Sequence, residues 1–99
     1  MMLTKEKILA ILQQHKALLK QLGVRNIGLF GSYVKNSATQ NSDIDLLVDF
    51  YPMQETFDNL MAVYDLMEKA FKNNKIEIIT KNGLSKHIGA YILKETEYV

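Results

Sequence analysis

Apolar residues recur with a helical period in two segments of this chain. In positions 5–22 and 56–72 they return every three or four residues, which is the spacing of one buried helix face. Thr4 precedes the first segment as a capping residue, and Gly23 follows it as a C-terminal stop. The pattern therefore predicts two long amphipathic helices.

Three shorter apolar segments have the composition of β-strands. Positions 24–30, 42–51 and 75–80 are rich in branched and aromatic residues, which suit a pleated, half-buried surface. Pro52 ends the second segment because proline cannot donate to a strand ladder, and Ser85 is placed to cap a last helix. This order of elements predicts an α+β fold, with a small mixed sheet and helices packed on one face.

The composition suits one small domain covering residues 1–99, since 47% of the residues are hydrophobic. No apolar run approaches the roughly 20 residues of a membrane span, and the N-terminus lacks the apolar region of a secretory signal. We therefore expect a cytoplasmic protein. The chain has no cysteine, which excludes disulfides and thiolate metal sites.

The net charge of +1 provides no overall field that would attract nucleic acid. The distribution is uneven, because Asn36 to Glu68 contains seven acidic residues and no Lys or Arg. This segment is either an acidic cation site flanked by lysines or a set of solvated helix faces.

Asp43 and Asp45 are the first candidates for chemistry. On a strand they point to the same face, where two like charges beside an apolar core are costly unless a cation lies between them. Mg²⁺ is typically held by one or two carboxylates together with substrate phosphate. The alternative is a polar edge strand with both charges in water. Ser42 is placed to turn the chain and bond a carboxylate, whereas Asp49, at the far end, is predicted to be solvated.

Gly31 and Ser32 follow the first predicted strand and form a candidate phosphate cradle. Glycine allows positive φ and close approach of the backbone to a ligand. Ser32 is able to cap a helix whose first N–H groups face an anion, although an ordinary turn fits the same residues. Lys35 is equally compatible with phosphate contact and with solvation. A phosphate site and a metal site on neighbouring strands would form the two halves of a nucleotide site.

The Gly31-Ser32 pair, the spacer and segment 42–48 together resemble the signature of the DNA polymerase beta-like nucleotidyltransferase superfamily. The chain length and the leading helix resemble its minimal nucleotidyltransferase branch, and the similarity covers nearly the whole chain. In that superfamily a later strand supplies a third carboxylate, and Glu77 matches this position. The expected sheet topology also rests on this resemblance.

The resemblance implies Mg²⁺-dependent transfer of AMP from ATP, with two metal ions likewise implied. The minimal branch is paired with small helical HEPN toxins, so the chain is expected to act as an antitoxin that modifies a hydroxyl of its partner. A homo-oligomer is compatible with the sequence. The residues carried over are catalytic and metal-binding Asp43, Asp45 and Glu77, and nucleotide-binding Gly31, Ser32, Lys35 and Ser42.

Two departures from the family pattern motivate a second hypothesis. The family usually has Arg-Gly where this chain has Lys35-Asn36, and lysine lacks the bidentate fork of arginine, although asparagine tolerates left-handed geometry. Glu77 is one methylene longer than the usual aspartate. The second hypothesis is a catalytically weak or inactive module that neutralises a partner by contact. A third, nucleotide addition to RNA ends, is disfavoured because no basic patch contains interleaved aromatic residues.

Overall fold

The structure, a computed structural model, describes residues 3–99. Within this range the chain forms four α-helices, one short 3-10 helix and four strands. In chain order the elements are α1 (Lys5–Gln14), α2 (Lys16–Gln21), β1 (Val24–Phe30), β2 (Ile44–Phe50), α3 (Phe57–Ala70), β3 (Ile76–Thr80), the 3-10 helix (Lys81–Gly83), α4 (Lys86–Glu95) and β4 (Glu97–Tyr98). None of these helices is long and apolar enough to cross a membrane.

The four strands form one mixed sheet in the order β3-β2-β1-β4. β1 runs antiparallel to both β2 and β4, whereas β2 and β3 are parallel and place Asp45 beside Glu77. The predicted α+β fold with a small mixed sheet is confirmed. The parallel β2–β3 pair exists because α3 crosses over between these strands, as a parallel connection requires.

Both faces of β2 are apolar, and this property sets the positions of the helices. One face carries Ile44, Leu46 and Val48 into a core shared with α1, α2 and α3. The opposite face carries Leu47, which packs with Phe30 of β1 and with a residue of α4. The prediction that helices pack on one face therefore holds for α1–α3. α4 instead packs on part of the other face, where Leu47 is fully buried.

The predicted capping residues begin three of the helices, but the first long helix is interrupted. The hydroxyl groups of Thr4, Thr56 and Ser85 each accept a hydrogen bond from the backbone three residues ahead. At His15 the imidazole Nδ1 donates to the carbonyl of Ile11 at 2.8 Å, which is closer than the His15 backbone N–H at 3.2 Å. The predicted helix is divided at His15 into α1 and α2, and the side chain and the backbone N–H of His15 share the Ile11 carbonyl at this break.

The C-terminal tail docks on its own sheet. β4 pairs with β1 through Gly28 and Leu29, and the Val99 N–H donates to the carbonyl of Ile27 at 3.1 Å. A Cβ atom on Gly28 would lie 2.9 Å from the carbonyl oxygen of Glu97, so glycine permits this close approach. The pairing brings the end of α4 beside the end of β1.

Asp49 is buried, and the prediction that it is solvated is wrong. It lies on the face of β2 that carries Leu47, and its carboxylate accepts bonds from Arg25 Nη2 at 3.0 Å and Nε at 3.2 Å. Burial and the nearby Asp49 charge raise the pKa of Tyr98 on the adjoining tail. A buried carboxylate is tolerated here because a guanidinium compensates its charge.

Arg25→Ala is expected to destabilise the protein by about 1–3 kcal/mol, because it leaves the Asp49 carboxylate buried without its charged partner. Urea unfolding measures this loss. The matched control is Lys5→Ala, whose partner Glu97 is 41% exposed, and whose loss is expected to be about 0–1 kcal/mol. Equal losses in the two variants would contradict this view of the Arg25–Asp49 pair.

Candidate active site

The cradle predicted at Gly31 and Ser32 is a tight turn. Gly31 has φ of +83°, and its carbonyl accepts hydrogen bonds from the N–H groups of Val34 and Lys35, both at 3.1 Å. Asn36 has φ of +62°, so asparagine does adopt the left-handed geometry expected of it. Of the two alternatives for this segment, the structure has a turn and not a helix capped by Ser32.

Gly31 is in direct contact with Asp45. A Cβ atom at position 31 would collide with the Asp45 carboxylate, and the register pairs Phe30, the preceding residue, with Asp45. Glycine is therefore required here for two reasons, its positive φ and the space taken by the carboxylate. This contact joins the predicted phosphate cradle to the predicted metal site.

The three predicted carboxylates lie around the start of β2. Asp43 immediately precedes the strand, which begins two residues later than predicted, while Asp45 is within it and pairs with Glu77 on β3. Burial is the largest of the causes that raise the pKa of Asp45 to about 6; the charges of Glu77, Asp43 and Glu95 contribute to this rise in that order, and Lys35 opposes it. Asp45 therefore lies within electrostatic range of both predicted partners and of a fourth carboxylate.

The fourth carboxylate, Glu95, ends α4. Its Oε2 accepts a hydrogen bond from the Gly31 N–H at 2.9 Å, and its side chain is 13% exposed. The sequence contains no local signal for this role, since Glu95 reaches the site through the packing of α4 on Leu47 and the pairing of β4 with β1. An acidic residue in a short tail has no pattern that would reveal such a long-range contact.

Lys35 lies at the edge of the site. Its Nζ is 3.2 Å from Glu95 Oε1 and 5.5 Å from the centre of the Tyr91 ring. The hydrogen bond and charge of Glu95 raise the pKa of Lys35, to which Tyr91 and Asp45 add. The lysine is thus held as a cation near the cradle, and phosphate contact stays a prediction.

Ser42 organises the loop before β2. Its Oγ accepts a hydrogen bond from the Thr39 N–H at 2.8 Å and lies 3.5 Å from the Thr39 hydroxyl. The expected bond from Ser42 to a carboxylate is replaced by these contacts, because the loop folds back on itself at Thr39. A role for Ser42 in nucleotide binding stays a prediction.

The acidic residues fit Mg²⁺ in donor chemistry and charge. Within residues 3–99, no three His, Cys, Asp or Glu side chains are already spaced as a complete metal site. The donors near Asp45 are all carboxylate oxygens, which hard divalent cations prefer. The pKa of Asp45 is raised first by burial and then by neighbouring carboxylate charges, and a bound cation would offset both effects.

Comparison with known proteins gives a consistent result. The profile described as "Polymerase beta, Nucleotidyltransferase" matches residues 6–99. Protein adenylyltransferase MntA of Thermococcus cleftensis is 40% identical, over 99% of this chain and 98% of its own. A solved structure described as a minimal nucleotidyltransferase superposes with a TM-score of 0.81 at 23% identity, covering 96% of this chain and 95% of that one.

A second solved structure, of a toxin–antitoxin with AMP-PNP, contains a chain that superposes with a TM-score of 0.65 at 19% identity. The match covers 97% of this chain and 72% of that one. At these identities both structural likenesses show the fold, and they agree that the mixed sheet and its helices form a nucleotidyltransferase fold.

Asp45→Asn is expected to raise the thermal midpoint of the protein by a few degrees at pH 8 in EDTA. Because the pKa of Asp45 in the folded state, about 6, exceeds the ordinary 3.8, its ionisation opposes folding. This penalty is complete above about pH 6 and disappears as the pH falls toward 3.8, so the gain should shrink from pH 8 to pH 5. Differential scanning calorimetry across this range measures it.

The control for this experiment is Asp65→Asn, which removes an exposed carboxylate from α3. Its midpoint should follow that of the wild type at every pH. A destabilised Asp45→Asn protein at pH 8 would show that the Asp45 charge stabilises the metal-free fold, which would contradict a raised pKa of Asp45.

Proposed function

The chain belongs to the polymerase beta nucleotidyltransferase family, and on that premise we propose that it transfers AMP from ATP to a hydroxyl of a partner protein. The observation that carries the proposal is the contact between Gly31 and the Asp45 carboxylate. It places a backbone phosphate donor next to an acidic cluster, which is the arrangement that a metal-bound triphosphate requires. The name of the relative from Thermococcus cleftensis, a protein adenylyltransferase, supports the same activity.

In this proposal Asp43, Asp45 and Glu77 hold Mg²⁺, with two ions as the family resemblance implies. When bound, the metal neutralises phosphate charge and lowers the pKa of the acceptor hydroxyl. Asp45 is the central ligand because it contacts Gly31 and is paired with Glu77. Glu77 is exposed whereas the two aspartates are half-buried, so Glu77 is the carboxylate open to the acceptor and accepts its proton.

The cradle residues bind and orient the triphosphate. The Gly31 N–H donates to a phosphate oxygen, Ser32 and Ser42 lie on the two loops that border the site, and Lys35 supplies a mobile positive charge. The acceptor oxygen forms a bond to the α-phosphorus, the bond from that phosphorus to the bridging oxygen breaks, and pyrophosphate leaves. Positioning and charge neutralisation account for this transfer without a nucleophilic side chain.

The proposed acceptor is a small helical toxin of the HEPN type, with this chain as its cytoplasmic antitoxin. The toxin–antitoxin structure with AMP-PNP supports a toxin as the partner and ATP as the substrate, since its chain shares this fold. The exposure of Glu77 supports an acceptor that approaches from outside the chain.

Incubation with a HEPN toxin, ATP labelled at the α-phosphate and Mg²⁺ should label the toxin. The double variant Asp43→Asn/Asp45→Asn is expected to lose at least about 100-fold in rate, the scale of removing electrostatic stabilisation from a transfer site. Asp65→Asn should keep the full rate, since this carboxylate is exposed on α3. Undiminished labelling by the double variant, or none by the wild type, would contradict the proposal.

A second candidate function is neutralisation of the toxin by contact alone. It is favoured by the engagement of Gly31 and Lys35 by Glu95, which occupies both phosphate-binding groups, and by the Lys35-Asn36 departure. In this case the Asp43/Asp45 double variant should still suppress toxicity in cells. Loss of suppression by a folded double variant that still binds the toxin would exclude contact as the mechanism.

A further inference from the structure

The two carboxylate oxygens of Glu95 contact the cradle and Lys35 beside it. Oε2 accepts from the Gly31 N–H at 2.9 Å, and Oε1 lies 3.2 Å from Lys35 Nζ. In the proposed function, this backbone N–H and this ammonium group bind the triphosphate. The Glu95 side chain is 13% exposed, so it is enclosed between its own helix and the turn and does not extend into solvent.

A carboxylate in this position makes the contacts of a phosphate group. Both are anions whose paired oxygens accept charge-assisted hydrogen bonds from N–H and ammonium donors. The Gly31 N–H points to one acceptor at a time, so Glu95 and a phosphate oxygen exclude each other at this atom. Asp45 is close enough for its charge to interact with that of Glu95, and this interaction adds to the carboxylate repulsion around Asp45.

We propose that Glu95 is an intramolecular competitor of the nucleotide phosphate, an inference that rests on the proposed function. It occupies the cradle in the ligand-free protein and leaves Gly31 and Lys35 when a triphosphate binds. The contact therefore holds the binding groups in place and lowers the affinity for nucleotide.

The surroundings of Glu95 allow this exchange without unfolding. Glu95 is the last residue of α4, where the helix ends at Thr96. Lys35 retains a second contact when Glu95 leaves, since its ammonium lies over the Tyr91 ring at 5.5 Å. The cation thus stays beside the cradle, and rotation of the Glu95 side chain is sufficient to open the site.

The test is binding of inorganic tripolyphosphate, and of ATP with Mg²⁺, to the full chain by calorimetry. Glu95→Gln keeps the shape of the side chain but removes its charge, and it should bind tripolyphosphate about tenfold more tightly, the scale of one charge-assisted hydrogen bond. In NMR titrations the Gly31 amide resonance should respond to tripolyphosphate in both proteins, at lower concentration in Glu95→Gln.

Glu97→Gln is the matched control. Glu97 lies two residues further on and pairs with a lysine at a similar distance, Lys5 at 3.1 Å, but makes none of the contacts of the cradle. Its affinity should equal that of the wild type. Glu95→Asp provides a second variant that keeps the charge but is one methylene too short to reach both donors, and it should also bind more tightly than the wild type.

Unchanged or weaker binding by a folded Glu95→Gln would overturn the proposal, and weaker binding would instead make Glu95 a positioning group for Lys35. Absence of tripolyphosphate binding in both proteins would overturn it together with the phosphate role of the cradle. Tighter binding without transfer of AMP to a toxin would support the competitor and count against the proposed enzyme, so the two failures are distinguishable.

Discussion

The contact between Gly31 and Asp45 is the constraint on which the site depends. β1 ends against β2 at this point, and the chain leaves β1 with a positive φ that only a residue without Cβ adopts beside the carboxylate. A larger residue would have to displace either the turn or Asp45. The cradle and the acidic cluster are thus fixed relative to each other by two adjacent strands, which is a rigid support for a site that must align a phosphate with a metal.

The sheet supports this contact from both sides. Leu46 buries one face of β2 under the main core, while Leu47 buries the other beneath α4. Burial on both faces fixes the register of β2, since a shift by one residue would move Asp45 into the core. α4 has a second role, because the same helix that covers Leu47 delivers Glu95 to the cradle.

In the metal-free protein the acidic cluster is only partly neutralised. Asp45 ionises reluctantly because it is partly buried and has three carboxylate neighbours, and Lys35 is the nearby positive group that eases this. In the ligand-free fold Lys35 and Gly31 are used by Glu95. A nucleotide bound with Mg²⁺ would bring cations to the carboxylates and phosphate oxygens to the cradle, so it would relieve the repulsion around Asp45 and take the donors that Glu95 now uses.

The local parts of this site were predictable from the sequence, and the long-range parts were not. Gly31 and the start of β2 have short-range signals, namely turn chemistry and strand alternation. The prediction for Asp49 is wrong because strand alternation gives the face on which a residue lies but not whether a cation covers it, and Arg25 covers Asp49 from the neighbouring strand. Glu95 depends on the pairing of a two-residue strand, β4, whose partner no local pattern identifies.

A crystal structure with Mn²⁺ and a non-hydrolysable ATP analogue would show directly whether the carboxylates and the cradle form one site, because anomalous scattering locates the metal. We expect Mn²⁺ bound by Asp43 and Asp45 with Glu77 beside it, a phosphate oxygen on the Gly31 N–H, and Glu95 displaced from the cradle. Metal bound elsewhere, or a triphosphate that leaves the Gly31 N–H free, would contradict it.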